Sequence, residues 1–195
     1  MTTIAIYGGA FNPPHVGHAM VASWIKLTDQ ADEVWFVPSA SHPFGKEMAS
    51  FDQRLEWCKA LARELGPWAI VSAAESTLPQ PNYTINLLRY MRENLPDDRI
   101  RFVMGVDNLL KRDKWFGFDD IEREFDPIFV DRGGIEHNLT LASPKFPDVS
   151  STEVRKRLAE GLPVDHLVPA SVLRLGVRES GGRGSREHLL SYRGC

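Results

Sequence analysis

Apolar residues are arranged along this chain in two alternating kinds of segment. The first kind is a short run ended by a chain-breaking or polar residue. Residues 3–7 (Thr-Ile-Ala-Ile-Tyr) stop at Gly8-Gly9, and residues 33–37 stop at Pro38. Residues 69–71 follow Pro67-Trp68, residues 100–104 stop at Gly105, and residues 127–130 stop at Asp131. These runs have the length and the β-branched and aromatic content of strands. The second kind repeats its apolar residues at helical spacing: Val16, Met20, Trp24 and Leu27; then Leu55, Cys58, Ala62 and Leu65; then Ile85, Leu88 and Met91. Strands alternating with helices predict βαβ units on a parallel sheet.

The last third is patterned differently. Residues 133–146 read as a loop with a short strand at Leu139-Thr140-Leu141, and Ser150-Ser151-Thr152-Glu153 opens a helix that runs through Leu158 and ends at Gly161. Residues 176–195 include Gly181-Gly182-Arg183-Gly184-Ser185 and have weak periodicity, which predicts a flexible tail. The expected architecture is α/β: a Rossmann-like open parallel sheet with helices on both faces and a small helical C-terminal part. One domain is expected over residues 1–176 and a tail over 177–195.

Composition narrows the class. A hydrophobic share of 43% in 195 residues supplies a core, which argues against a largely disordered chain. A net charge of −3 gives no basic footprint for nucleic acid. Two cysteines, Cys58 and Cys195, make neither a disulfide framework nor a zinc site. No apolar run approaches the roughly 20 residues that span a bilayer, and the first residues lack a signal-peptide pattern. A cytoplasmic location away from membranes is expected.

The candidate chemistry concentrates in Gly8-Gly9-Ala10-Phe11-Asn12-Pro13-Pro14-His15-Val16-Gly17-His18. In an open parallel sheet the turn after a strand lies at the carboxyl edge, where ligands bind. Glycines let backbone approach a phosphate, and the following helix offers free amides and the positive end of its dipole. His15 and His18, three apart, share a helix face and can both donate to one phosphate. The turn has neither the three-glycine dinucleotide pattern nor a Walker lysine. A capped, partly buried helix start is the plain alternative for one histidine, and it fits two beside a double glycine less well.

This segment resembles the phosphate-binding signature of the nucleotidyltransferase superfamily, His-x-Gly-His after a glycine turn. Within it the chain is most similar to the nicotinate-nucleotide adenylyltransferases, with Asn12 where many members have Asp. The resemblance continues in order over about residues 3–175. Ser39, His42 and Lys46 lie in a stretch like the family's substrate loop, and Arg54 in one like the start of its next helix. Asn82-Tyr83-Thr84 resembles a pair whose Thr84 meets a carboxylate at a helix start, although Leu87 replaces a frequent second threonine. The resemblance puts Gly105 and Asp107 at the ATP sugar and adenine, Trp115 against the pyridine ring, and Ser150, Ser151, Thr152 and Arg155 at a second anion cradle. Each has a plainer alternative: surface charge for Lys46 and Arg54, helix caps for Thr84, Asp107 and Ser150, core packing for Trp115.

The family likeness implies in-line attack by the phosphate of nicotinate mononucleotide on the α-phosphorus of ATP, releasing pyrophosphate without a covalent enzyme intermediate. His15 and His18 then serve the α- and β-phosphates, Lys46 and Arg155 offset the charge of the leaving pyrophosphate, and Gly8, Gly9, Ala10 and Phe11 line the ATP site. Asn12 joins the substrate loop on the acceptor side. Mg²⁺ is expected to arrive with ATP, held by phosphates and water. Nicotinamide mononucleotide or another phosphate acceptor is the alternative within this class. Outside it stand a non-catalytic nucleotide sensor and an interaction module using Arg178, Arg183, Arg186 and Arg193 of the tail.

Overall fold

The computed structural model describes residues 1–40, 48–79 and 82–177. Five parallel strands among these residues form one sheet: β1 (Thr3–Gly9), β2 (Glu33–Pro38), β3 (Ala69–Val71), β4 (Arg99–Gly105) and β5 (Ile128–Val130). Their order is β3-β2-β1-β4-β5, so the chain works outward on one side of β1 and then returns to build the other side. Residue for residue, β1 pairs Gly8 with Val37 and Gly9 with Pro38, and β4 pairs Gly105 with Val130. The point of reversal, between β1 and β4, opens at the carboxyl edge beside Gly8, Gly9 and Gly105.

Strand side chains alternate between faces, and the two faces bury separate cores. Ala5, Val34, Phe36 and Val103 point to one cluster, covered by α1 (Val16–Leu27), α2 (Phe51–Leu65), α6 (Ser151–Ala159) and α7 (Ala170–Leu173). Ile4, Ile6, Phe102 and Met104 point to the other, covered by α3 (Thr84–Asn94) and α5 (Phe118–Phe125). A one-turn helix, α4 (Val106–Leu109), follows β4 directly.

Two expectations from the pattern are corrected. No strand forms at residues 139–141; the loop instead makes an isolated bridge between Arg132 and Phe146. In α1 the residues that go fully into the core are Val21, Ala22 and Ile25, with Gly17, while Leu27 is 82% exposed. Met20 and Trp24 lie at the margin of that face, Trp24 edge-on to Phe146. The expected tail lies outside the described residues beyond 177.

Candidate active site

The β1–α1 turn is held from both sides. Phe11, in the left-handed region at φ 46°, buries its ring 4.8 Å from that of His18. Asn12 is 4% exposed: its side-chain oxygen accepts the Ala49 N–H at 3.2 Å and its carbonyl accepts Arg155 at 2.6 Å. Arg54 is 1% exposed and gives its N–H groups to the carbonyls of Ala49, Ala10 and Ser39, while the Ser39 N–H donates to Gly9. These contacts correct both readings of Arg54. It is neither a solvated surface charge nor a free phosphate contact, because three backbone carbonyls hold its buried guanidinium inside the loop. Asn12 likewise braces the turn through its side-chain oxygen and its carbonyl.

His15 caps α1, and its backbone N–H donates to His18 Nδ1 at 3.1 Å. That bond fixes the tautomer of neutral His18: the proton sits on Nε2, which keeps a donor for another group. The two imidazoles lie 3.8 Å apart, and His15 Nδ1 is buried with no hydrogen-bond partner. Loss of solvent, and then the Arg132 charge, lowers the His15 pKa to about 4. His18 is held well below the usual imidazole range by burial, then by His15, then by Arg132. Near neutral pH both rings are therefore uncharged hydrogen-bond donors. Gly17 makes the arrangement possible, since a Cβ there would stand 2.9 Å from the His15 ring.

The start of α6 meets the start of α1. Ser151 Oγ donates to the Pro13 carbonyl at 2.9 Å, and Arg155 reaches Asn12 with one nitrogen and Thr152 Oγ1 with the other, at 3.2 Å. Ser150 caps α6 by accepting the Glu153 N–H, so the capping role holds for that residue. The starts of the two helices thus meet at the sheet edge, where the Val16 N–H is given to the Leu167 carbonyl and the His18 N–H to the His15 carbonyl, each at 2.9 Å.

On the other face lie the remaining candidates. Thr84 opens α3 and is half-buried, and Leu87 packs in the core. Trp115 is half-buried against Phe102, with ring centroids 6.0 Å apart. Beside it a cleft of about 360 Å³ is lined by Arg112, Asp113 and Gly117 among others. Tyr83 and Phe116, both exposed, stack at 4.5 Å in the same region. Asp107 folds back so closely that a Cβ on Gly105 would lie 2.6 Å from its Oδ1. His42 and Lys46 lie outside the described residues. A larger depression of about 490 Å³ along the β3 edge, lined by Lys59, Arg63, Gly66 and Ile70, contains none of these groups.

Sequence reasoning passed over Gly17 as a site residue, the Tyr83–Phe116 pair, Tyr7 and Arg132. Tyr7 stacks on Phe36 and contacts Phe11 and His18 edge-on; burial raises its phenol pKa, with Arg132 opposing and Asp107 reinforcing the shift. Arg132, two residues beyond β5, carried a readable signal in its position at the carboxyl end of a strand before Gly133-Gly134.

Residues 6–157 match the cytidylyltransferase-like family model. A protein of Anaeromyxobacter sp. (strain K) named a probable nicotinate-nucleotide adenylyltransferase is 40% identical over 180 residues, covering 91% of this chain and 95% of the relative. The nicotinate-nucleotide adenylyltransferase of Bacillus subtilis (strain 168) is 31% identical over 188 residues, 93% of this chain and 98% of that one. The crystal structure of a candidate nicotinate-nucleotide adenylyltransferase from Vibrio parahaemolyticus superposes with a TM-score of 0.69 at 27% identity, covering 90% of this chain and 98% of that one. The chain belongs to the cytidylyltransferase-like nucleotidyltransferases and, among them, to the nicotinate-nucleotide adenylyltransferase family.

Proposed function

We propose that this enzyme transfers the adenylyl group of ATP to nicotinate mononucleotide in the cytoplasm, as a step of NAD biosynthesis. The observation that carries the reading is the convergence of the α1 and α6 N-termini around the neutral His15–His18 pair. A phosphate oxygen of the acceptor attacks the α-phosphorus in line, the bond from that phosphorus to the β-bridging oxygen breaks, and pyrophosphate leaves with the electron pair. No enzyme nucleophile is needed, so the protein contributes alignment and donors aimed where charge develops.

In this reading His18 Nε2–H and His15 donate to the α- and β-phosphates, with the backbone of Gly8, Gly9, Ala10 and Phe11 and the starts of both helices around them. Ser151 and Arg155 brace α6 against the turn, so its amides stay aimed at the phosphates. Gly105 and Asp107 take the ribose and adenine side, and Ser39, His42 and Lys46 the acceptor's phosphate. Thr84 and the first amides of α3 receive the nicotinate carboxylate, and Trp115 offers a stacking face to its ring. Mg²⁺ enters as part of MgATP, coordinated by phosphate and water oxygens. Among the described residues no three His, Cys, Asp or Glu side chains gather into a metal cage.

The test is pyrophosphate release from MgATP with nicotinate mononucleotide, run beside nicotinamide mononucleotide. Strong preference for the acid is the expected result. Release with the amide alone would overturn the assignment around Thr84 and Trp115 while keeping adenylyl transfer, and no release with either would refute the reading.

A further inference from the structure

We propose that Arg132 is a cation that engages the triphosphate of the bound nucleotide, held at the carboxyl edge of the sheet by Asp148. This rests on the reading of the site as a MgATP site and adds a charge to those of Lys46 and Arg155 among the candidate residues above.

Position is the first ground. Gly105 of β4 is paired with Val130 of β5, so Arg132, two residues further, leaves the sheet level with the Asp107 turn at the carboxyl edge. Its backbone is fixed there. The Phe146 N–H donates to the Asp131 carbonyl at 3.2 Å, and the Gly133 N–H donates to the Phe146 carbonyl at 2.6 Å. The guanidinium donates to Asp148 Oδ1 at 2.8 Å. Asp148 packs so tightly on the glycine pair that a Cβ on Gly134 would lie 2.5 Å from its carboxylate. Two residues later Ser150 caps α6. Arg132 is thereby strung between the edge strand and the mouth of the α6 cradle.

Charge is the second ground. A triphosphate carries several negative charges, yet both histidines are kept neutral by burial. Arg54 is enclosed among backbone carbonyls, Arg155 gives part of its fork to Asn12 and Thr152, and Lys46 lies outside the described residues. Arg132 has one bond to Asp148 and a side chain 33% exposed, which leaves donors on its fork for phosphate oxygens. Its field also acts on Tyr7, His15 and His18 together, which agrees with a guanidinium facing the β1–α1 turn. A plain surface ion pair would close the loop and leave nucleotide affinity untouched.

The experiment measures binding of inorganic tripolyphosphate by calorimetry, and the KM values for MgATP and nicotinate mononucleotide, in wild type, Arg132→Gln, Arg132→Lys and Asp148→Asn. Arg132→Gln should weaken tripolyphosphate binding and raise the MgATP KM about tenfold or more, the scale of one charge-assisted contact, with the acceptor KM within about twofold. Arg132→Lys should keep most of the tripolyphosphate affinity, and Asp148→Asn should lose a few-fold through a less ordered guanidinium. Equal tripolyphosphate affinity in wild type and Arg132→Gln, or a parallel rise in both KM values, overturns the proposal. If Arg132→Gln does not fold, unchanged affinity in Asp148→Asn has the same force. Failure of the underlying reading looks different: wild type would then release no pyrophosphate with nicotinate mononucleotide, whatever Arg132 does.

Discussion

At the residue scale the chemistry depends on how one turn handles two imidazoles. His18 accepts the His15 backbone N–H through Nδ1, and an added proton on that nitrogen would remove the acceptor and charge a ring packed 3.8 Å from its neighbour. Burial drives both pKa values down, His15 to about 4. A group whose folded pKa is depressed in this way binds its proton more readily in the unfolded chain. Stability is then complete above the unfolded value near 6.5 and declines as pH falls from there toward 4. His15 contributes a slope of up to about 1.4 kcal/mol per pH unit within that window, and His18 adds a loss of the same sign. Denaturant melts at pH 7 and pH 5 should show this loss, and His18→Ala should show a shallower one. That variant should also cost about 1 kcal/mol at pH 7 for the lost cap bond, while turnover falls about 100-fold or more. Equal slopes in wild type and His18→Ala would mean that the ring is charged in the fold and would remove it from this role.

At the element scale, α2 does more than cover the sheet. Its first turn carries Arg54, which ties the β1–α1 turn at Ala10 to the end of β2 at Ser39 and to Ala49 ahead of the helix. Replacing it with alanine leaves three half-buried carbonyls without their donor and a cavity where the buried side chain stood, and the stability loss should be about 3 kcal/mol. Arg54→Lys should recover little of this, since one ammonium cannot span the three acceptors. Chemical denaturation decides: a loss below about 1 kcal/mol for Arg54→Ala would show that the loop holds without it. The sheet and the main helices were legible because apolar runs ending at Gly8, Pro38 and Gly105 announce strands, and 3.6-residue spacing announces α1, α2 and α3. The role of Arg54 was not legible, since its burial arises from three acceptors brought together only by folding. The face of α1 differs from the pattern because Val21 and Ile25 are as apolar as Met20 and Trp24, and only the fold decides which of the two adjacent stripes meets the sheet. Helix α5 was missed although Phe118, Ile121 and Phe125 carry its buried stripe after Gly117. That signal is short, and its neighbours are acidic.

At the scale of the whole molecule the late helix α6 is tied to the first turn of the fold. Two hydrogen bonds from α6 to the β1–α1 turn span most of the chain: Ser151 to Pro13, 138 residues apart, and Arg155 to Asn12, 143 apart. They hold two helix starts at one point while α3 and α5 cover the opposite face, so a nucleotide lying over the sheet edge meets both layers. An anion bound at the junction should therefore order both helix starts as one unit. Hydrogen exchange with and without MgATP tests this directly. In wild type the amide of Gly17 and those of Ser151 and Thr152 should gain protection together, because both helix starts lose their freedom to the same phosphates. In Arg155→Ala the protection of Ser151 and Thr152 should drop by about tenfold relative to Gly17, since α6 is then tethered mainly by Ser151. If MgATP protects both segments equally in that variant, the two cradles act independently, and the long-range hydrogen bonds serve folding without serving the reaction.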